Sequence, residues 1–563
     1  MSILPYLSTD ADELPPVPPF VLALLARWLD PLLAWFSAQV YRAVLARCRS
    51  HPLVRLAQTY DPHAVVAACA PYHHAAGPGT KPTYPVSILV RAEIVRVWAG
   101  SCSDPALEQL LASNLVCRAF VGLALLGPTP DHSTLNRFHA WLTLHQPRAL
   151  FADVLAFLDR VDPEDPATTP QIVDTFALES AAAPTSIAVL LWRLCGQLAD
   201  LWLAHAPAQL QAALPPLDLG PLHQPPPAWT RAQHQAQLGS AVTLATRLAS
   251  DLTPHLAALE PALRAAVQGR LALLDKVVSD ETAIDAQGQV VERSAKDKGQ
   301  YRLASASDPE ATFRKHDLDD VVFGYNAAIS TTATRIRAAV VATGSAADSR
   351  APRAVLVQQR DAGLALPCEL VMDQAGGWGK TRAEVDGVSE GQTQMVALIP
   401  QAGGADLTRF TPADFPVSAD GASCRCPNGV VSSKAYASGE GDGVHFRFTA
   451  KQCTGCPLWQ RCRAPESKPG SHRTVYASPY HAALRAGAAF NRTEAGKALL
   501  GQRWQVEPAV AWLVRYDGCR RARRVGQQAA QCQLYQACAL RNLWRYLARV
   551  ARRGSPAAGA VCA

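Results

Sequence analysis

Lysine and arginine are missing from the first fifteen positions, which carry acids instead, and that is the wrong start for an export sequence. A charge-free apolar run of membrane length is missing too. Arg27 and Asp30 interrupt Phe20–Val40, and Arg193 and Asp200 interrupt Ile187–Leu203. A charge at the bilayer centre costs about 2.5–3.5 kcal/mol, so both stretches are expected as buried or amphipathic helices and no membrane partner is expected. Aromatics are few, at 7%, while alanine and leucine dominate, so helix should outweigh strand. Acids almost vanish at the far end. From Pro508 onward Asp517 stands alone against ten arginines. Such a field suits a polyanion, although a solvated basic helix would carry the same charge. Cysteine is not scarce: fifteen is an odd count, which fits free thiols in a cytoplasmic protein and one metal site. With 563 residues, nearly half hydrophobic and under a fifth charged, the chain should bury two to four folded units.

Along the chain, residues 1–84 read as amphipathic helices broken by prolines, with no chemistry attached. Residues 85–161 predict further helices. One covers Ser87–Trp98, and a second begins at Asp104, a natural cap. The turn Gly127-Pro-Thr-Pro-Asp-His-Ser-Thr-Leu-Asn-Arg-Phe138 then leads into a helix that Ser133 or Asp131 can cap, with Asn136, Arg137 and His139 near its start. A capped helix with polar and basic residues in front is how a helix-turn-helix meets DNA, and equally how two helices merely pack. The apolar run Gln171–Leu178 predicts a strand carrying Asp174. Helix is expected from about 181 to 278, with a proline-rich break at Ala213–Trp229. Strand character returns at Asp319–Ser330, Ile336–Thr343 and Leu364–Met372, the last ending at Asp373 before a glycine-rich turn. Residues 402–478 are loop-rich, and 479–553 read as almost wholly helical, with Glu507 on a helix and the arginines behind it. Residues 554–563 read as a disordered tail. No internal repeat is visible.

Cutting a phosphodiester needs an activated oxygen, a stabilised leaving oxygen and relief of charge on the phosphorus. Two divalent ions about 3.5–4 Å apart supply all three, and hard ions of this kind want carboxylate oxygens. An acid within a strand, one at the end of a neighbouring strand and one on a helix can converge on a single point. Asp174, Asp373 and Glu507 fit that plan, although strand-end aspartates also cap turns and helical glutamates also face water.

The chain resembles bacterial insertion-sequence transposases of the DDE type, in the group with a cysteine-bearing insertion late in a ribonuclease-H-like domain. The resemblance runs from about Pro85 to Leu547. It is carried in order by Leu107-Glu-Gln-Leu-Leu with Pro130–Phe138, by Val173-Asp-Thr, and by Ser307-Asp-Pro-Glu-Ala311 with Arg314-Lys315 and Phe323-Gly-Tyr-Asn326. Met372-Asp-Gln-Ala-Gly376 follows, then Arg503-Trp-Gln-Val-Glu507, Gly518–Gly526 and Asn542-Leu-Trp-Arg545. It implies an α/β fold: a ribonuclease-H-like catalytic domain, with a mixed sheet flanked by helices, over 162–401 and 479–553. A helical insertion (about 181–278) and a cysteine-rich insertion (402–478) interrupt it, and a helix-turn-helix-like module (85–161) and a mainly α-helical N-terminal region precede it. It further implies that Asp174, Asp373 and Glu507 hold Mg2+ or Mn2+, and that double-stranded DNA, as element ends and as target, is the partner. Arg503 on the face of Glu507, Arg314, Lys315, Arg515, Arg520, Arg521, Arg523, Arg524, Asn136 and Arg137 are the DNA contacts it suggests. A homo-oligomer on DNA, beside the nucleoid, completes the expectation. Three positions depart from the group: Leu500 where a tyrosine is common, Ala-Gly-Gly-Trp after the second acid, and Val514 where a lysine is frequent. A catalytically inactive, transposase-derived DNA-binding protein is the alternative these departures suggest.

Cys424, Cys426, Cys453, Cys456 and Cys462 form C-x-C, a gap, then C-x2-C-x5-C. Four thiolates in two groups suit tetrahedral zinc, and a loop-rich segment gains folding energy from such a clip. The resemblance favours Cys426, Cys453, Cys456 and Cys462 as the four, with Cys424, His445 and His472 as substitutes. Such a zinc would be structural, since thiolates do not suit magnesium.

Overall fold

The computed structural model describes residues 19–554 apart from 74–83, 215–216, 224–228, 295, 299–300, 316–320, 401–408, 411–413, 419, 439–442, 465 and 469. The tail expected at 554–563 lies outside the described residues beyond its first position, as do parts of the N-terminal region. The chain divides into two compact units, Met1–Asp153 with Arg549–Ala563, and Val154–Ala548.

The first unit is helical throughout its described residues. Val86–Trp98 is buried along most of its length, and Asp104–Ser113, Leu115–Val121 and His132–His145 pack around it. Asn114 ends one helix and caps the next, accepting from the Val116 and Cys117 amides at 2.9 and 3.1 Å. Asp104 does not cap its helix. Ser103 holds the N-cap position, and Asp104 pairs instead with Arg96 at 2.8 Å. Asp131 does cap, accepting from the Thr134 amide at 2.6 Å.

The second unit is built on a mixed six-stranded sheet. Its first strand, β1 (Gln171–Glu179), leads into a helical insertion whose helices Ile187–His205, Arg231–Leu252 and Pro261–Glu281 share one apolar core and end in the hairpin β2 (Thr282–Ile284) and β3 (Val290–Glu292). Ile187–His205 is long and apolar enough to cross a membrane by length and composition, but here most of it is buried inside this core. The sheet resumes with β4 (Thr312–Lys315), β5 (Val321–Thr331), β6 (Ile336–Thr343), β7 (Glu369–Val371) and β8 (Gln394–Val396). β5 runs antiparallel to β1 on one side and, on the other, to β4 along residues 321–324 and to β6 along residues 325–331; β1, β7 and β8 are mutually parallel. The strands at 321–331 and 336–343 lie almost where valine and isoleucine placed them. The apolar run before Asp373 yields only three paired residues.

Edge strand β6 owes its protection to side chains. Gln531 of the long helix Gln527–Gly554 accepts from the Val341 amide at 2.7 Å and donates to the Ala339 carbonyl at 2.9 Å. About three turns on, Asn542 does the same for both backbone groups of Ile336, at 2.7 and 2.9 Å. Amides at these spacings stand in for a missing neighbouring strand, so the edge is closed to other chains. The start of this helix is held by acids: Glu310 accepts from the Gln527 amide at 2.7 Å, and buried Asp308 accepts from Ser180, Tyr325 and the Gly526 amide.

The stretch after Ser478 departs from the expected near-continuous helix. Helices His481–Arg492 and Glu494–Gly501, a 3-10 turn Arg503–Val506 and helix Glu507–Arg515 are followed by a loop, 516–526, before Gln527.

Candidate active site

Asp174 is the fourth residue of β1, paired across to Ile329 of β5, so a central strand fixes its backbone. Strand alternation sends Val173 into the apolar layer with Val355, Leu356 and Leu370, and sets Asp174 on the opposite face. Arg503–Val506 and Glu507–Arg515 pack against β1. Asp373 follows β7 with Met372 between them. The parallel register pairs Gln171 with Leu370 and Ile172 with Val371, so Asp373 lies two residues beyond the last pair and Asp174 two residues beyond its partner in β1. Its backbone is pinned by a turn in which its own carboxylate accepts from the Ala375 amide at 2.9 Å. The glycines after it are steric necessities: a Cβ on Gly377 would fall on the Leu398 carbonyl.

Glu507 is the first residue of its helix, half exposed, and accepts from Arg503 at 2.7 Å. Burial pushes the Asp174 carboxyl above the usual aspartate range. The Thr175 amide and Arg503 pull it back, while Asp373 and Glu507 push it further up. Asp373 and Glu507, from segments far apart in sequence, thus both raise Asp174, and Arg503 opposes them. Excess negative charge in a partly desolvated place is a cation's environment. Among the described residues no three such groups are close enough together to hold one ion.

The suggested DNA contacts scatter. Arg314, on β4, donates to Thr175 at 3.1 Å and to Asp348 at 3.4 Å, so it ties strands together beside the site; Lys315, next along, is exposed. Arg515 ends its helix, exposed. Arg520, Arg521, Arg523 and Arg524 sit not on a helix but on loop 516–526, whose backbone bridges to the end of β1: the Glu179 amide donates to the Arg520 carbonyl at 3.0 Å, and the Ala522 amide to the Glu179 carbonyl at 2.7 Å. Arg520, Arg521 and Arg523 are exposed, and this bridge lies five residues, about 17 Å, along β1 from Asp174. Some of the C-terminal arginines tie the fold together: Arg521 donates to the Ser180 carbonyl at 3.2 Å. Arg541 is buried against Asp517, and Arg545 donates to Thr331 and to the Ala333 carbonyl. In the first unit Asn136 and Arg137 are exposed on their helix, whereas His139 is buried against Glu93 at 2.8 Å.

The cysteine-rich segment has its own small core of Phe415, Phe446, Phe448 and Val475. Cys426, Cys453, Cys456 and Cys462 line one partly open cavity of about 30 Å³ with Phe415, Phe448, Trp459 and Arg473, and Cys424 is buried in the same small core. Burial raises the thiols of Cys453 and Cys462, and neighbouring cysteines add to it. Residues 307–311 and Asn542 enter the sequence reading only through the resemblance, and Asp308, Glu310, Gln531 and Asn542 have no structural role there; that role is visible only once their partners are known.

Two domain-family models match the chain: a transposase DDE domain over residues 425–547, and a transposase domain over residues 43–140. No curated protein and no solved structure matches. The two matches, in this order, support an insertion-sequence DDE transposase, with DNA as its substrate class and divalent metal in its general chemistry.

Proposed function

We propose that this chain is a working DDE transposase that cuts DNA at the ends of an insertion sequence and joins them to a target, with Asp174, Asp373 and Glu507 as its metal-binding acids. The observation that supports the reading is that Asp373 and Glu507 both act on the charge of Asp174, a partly desolvated acid on a central strand, although in this structure no three acids among the described residues are close enough to hold one ion. Strand order supports a ribonuclease-H-like reading of the domain: three parallel strands, then an antiparallel one bordering an edge strand. When bound, two Mg2+ or Mn2+ ions there would polarise the attacking oxygen and stabilise the leaving one. Asp174, rigid on its strand, sets the position. Asp373 and Glu507 close the site from the neighbouring strand and the helix. Arg503 has the reach to pass from Glu507 to a phosphate, and Arg520, Arg521 and Arg523 form a basic rail along the DNA backbone. Joining two ends calls for more than one copy on DNA, in the cytoplasm beside the nucleoid. Cys426, Cys453, Cys456 and Cys462 would hold a structural zinc; they line one small cavity, although no three of them are close enough together in this structure to hold an ion.

The test is cleavage and strand transfer on element-end DNA with magnesium or manganese, wild type against Asp373→Asn. Metal-dependent nicks and joined products that vanish in the variant are expected. Equal binding of the ends by both proteins with no cutting by either would replace this reading by that of a DNA-binding protein without catalysis.

A further inference from the structure

The cysteine-rich segment carries a row of rings with no role in the site just described. Strands Ala435–Ala437, Val444–Phe448 and Arg473–Ala477 form an antiparallel sheet in which Tyr436 pairs with His445, and His445 with Tyr476. The His445 ring stacks on Tyr436 at 5.5 Å between centroids and 20° between planes, and leans on Tyr476 at 5.3 Å and 56°. Alternation sends Phe446, Phe448, Val475 and Ala477 into the core, so these rings hold the outer face. Tyr436 is 49% and Tyr476 41% exposed. His445 Nδ1 is buried with no hydrogen-bond partner among the described residues.

Cations border the row. Arg447 occupies the next outer position on the central strand, and Lys434 precedes the first; both are exposed, with no ion pair among the described residues. From 421 to 478 the sequence has eight lysines and arginines against three acids. Aromatic faces on a sheet, rimmed by cations, match the two surfaces of an unpaired nucleic-acid strand: bases stack on rings while phosphates meet the charges. Paired bases are already stacked on each other and have no face to offer. The charge balance argues against an apolar protein partner.

We propose that this face binds unpaired DNA, with bases stacking on Tyr436 and Tyr476. The proposal rests on the DNA-processing reading above and adds a substrate form to it: nucleotides frayed near a cut end. The face is tied to the acids through the fold. Tyr480, three residues past the last strand, packs where a Cβ on Gly379 would sit, six residues past Asp373.

The experiment is fluorescence anisotropy with the full chain and three labelled probes: oligothymidylate, an abasic strand of equal length, and an element-end duplex. The variants are the pair Tyr436→Ala with Tyr476→Ala and the pair Tyr436→Phe with Tyr476→Phe, with melting temperatures as the check on folding. Oligothymidylate binding should weaken on the order of a hundredfold in the alanine pair and stay within a few-fold of wild type in the phenylalanine pair. Duplex binding should not change, and the abasic strand should bind wild type as weakly as oligothymidylate binds the alanine pair. Equal binding of abasic and base-bearing strands, or an alanine pair that binds like wild type, overturns the proposal. Wild type that binds and cuts duplex ends but ignores oligothymidylate overturns this proposal alone. Failure to bind any of the three probes brings down the DNA-processing reading with it.

Discussion

Two clusters of desolvated charge, one in each unit, are built from the same residue types and end in opposite states. In the first unit Glu93 is wholly enclosed, yet Arg96 reaches both its oxygens at 3.1 Å and His139 contacts it at 2.8 Å, while Asp104 takes the far side of Arg96 at 2.8 Å. Burial pushes the Glu93 carboxyl up, but Arg96 and His139 together outweigh it and hold the group down at about 2. In the second unit Asp174 is less buried and has less help: a backbone amide and a shared arginine, against two further acids, leave it raised. The first cluster cancels its own charge; the second leaves negative charge over. Burying acids is common to scaffold and site, and the unbalanced remainder is what marks a place meant for something absent from the chain.

Neutralising one acid in each cluster should separate them most widely. Glu93→Gln leaves Asp104 as the remaining acid partner of Arg96 among the described residues and takes the charge from a buried pair, and is expected to cost about 3 kcal/mol of stability. Asp174→Asn removes a group its surroundings resist charging, and should leave stability unchanged or raise it by up to about 1 kcal/mol. Denaturant melts of the two variants beside wild type decide it. A matching loss in both would mean that the second cluster is scaffold as well.

Acid should sharpen the same contrast. Glu93 is depressed in the folded state, so its stabilisation is fully present above its ordinary value near 4.5 and is lost as pH falls from there towards about 2. Asp174 is raised, so the cost of charging it disappears as pH falls through its folded value, and its surroundings gain. Pepsin digestion stepped from about pH 4.5 to pH 2, with fragments mapped by mass spectrometry, should cut the first unit before the second. Release of core fragments from 171–179 ahead of those from 86–98 would contradict the comparison.

How much of this was legible follows from what each cluster asks of the chain. Asp174 and Asp373 stand out because a strand's apolar residues run unbroken up to an acid, and the family pattern then singles out Glu507. The Glu93 cluster was not legible. Its acid, Arg96 and His139 come from two helices 46 positions apart at the extremes, and nothing local shows that both faces of Val86–Trp98 are buried. Asp104 misled for a related reason: a helix start offers an aspartate a cap, but a buried arginine nearby offers it more. The same limit hid the amides covering β6 and the Tyr436–His445–Tyr476 row, both of which exist only once strand register is known.

The smallest expected effect lies at a cation inside the second cluster. Arg503 pairs with Glu507 at 2.7 Å on a half-exposed surface, and a pair of that kind is worth under about 1 kcal/mol, so Arg503→Gln should hardly move stability. Its electrostatic role is larger than its structural one. The guanidinium is a positive charge that lowers Asp174, and removing it leaves three carboxylates with less to neutralise them. Mn2+ should then bind the variant a few-fold more tightly, since a competing cation has gone, while cleavage of element ends falls because a phosphate contact has gone with it. Calorimetric titration with Mn2+ alongside the cleavage assay reads both. Weaker Mn2+ binding would mean that Arg503 positions Glu507 as a ligand instead of standing in for the metal, and the leftover charge that distinguishes the two clusters would have to be counted again without it.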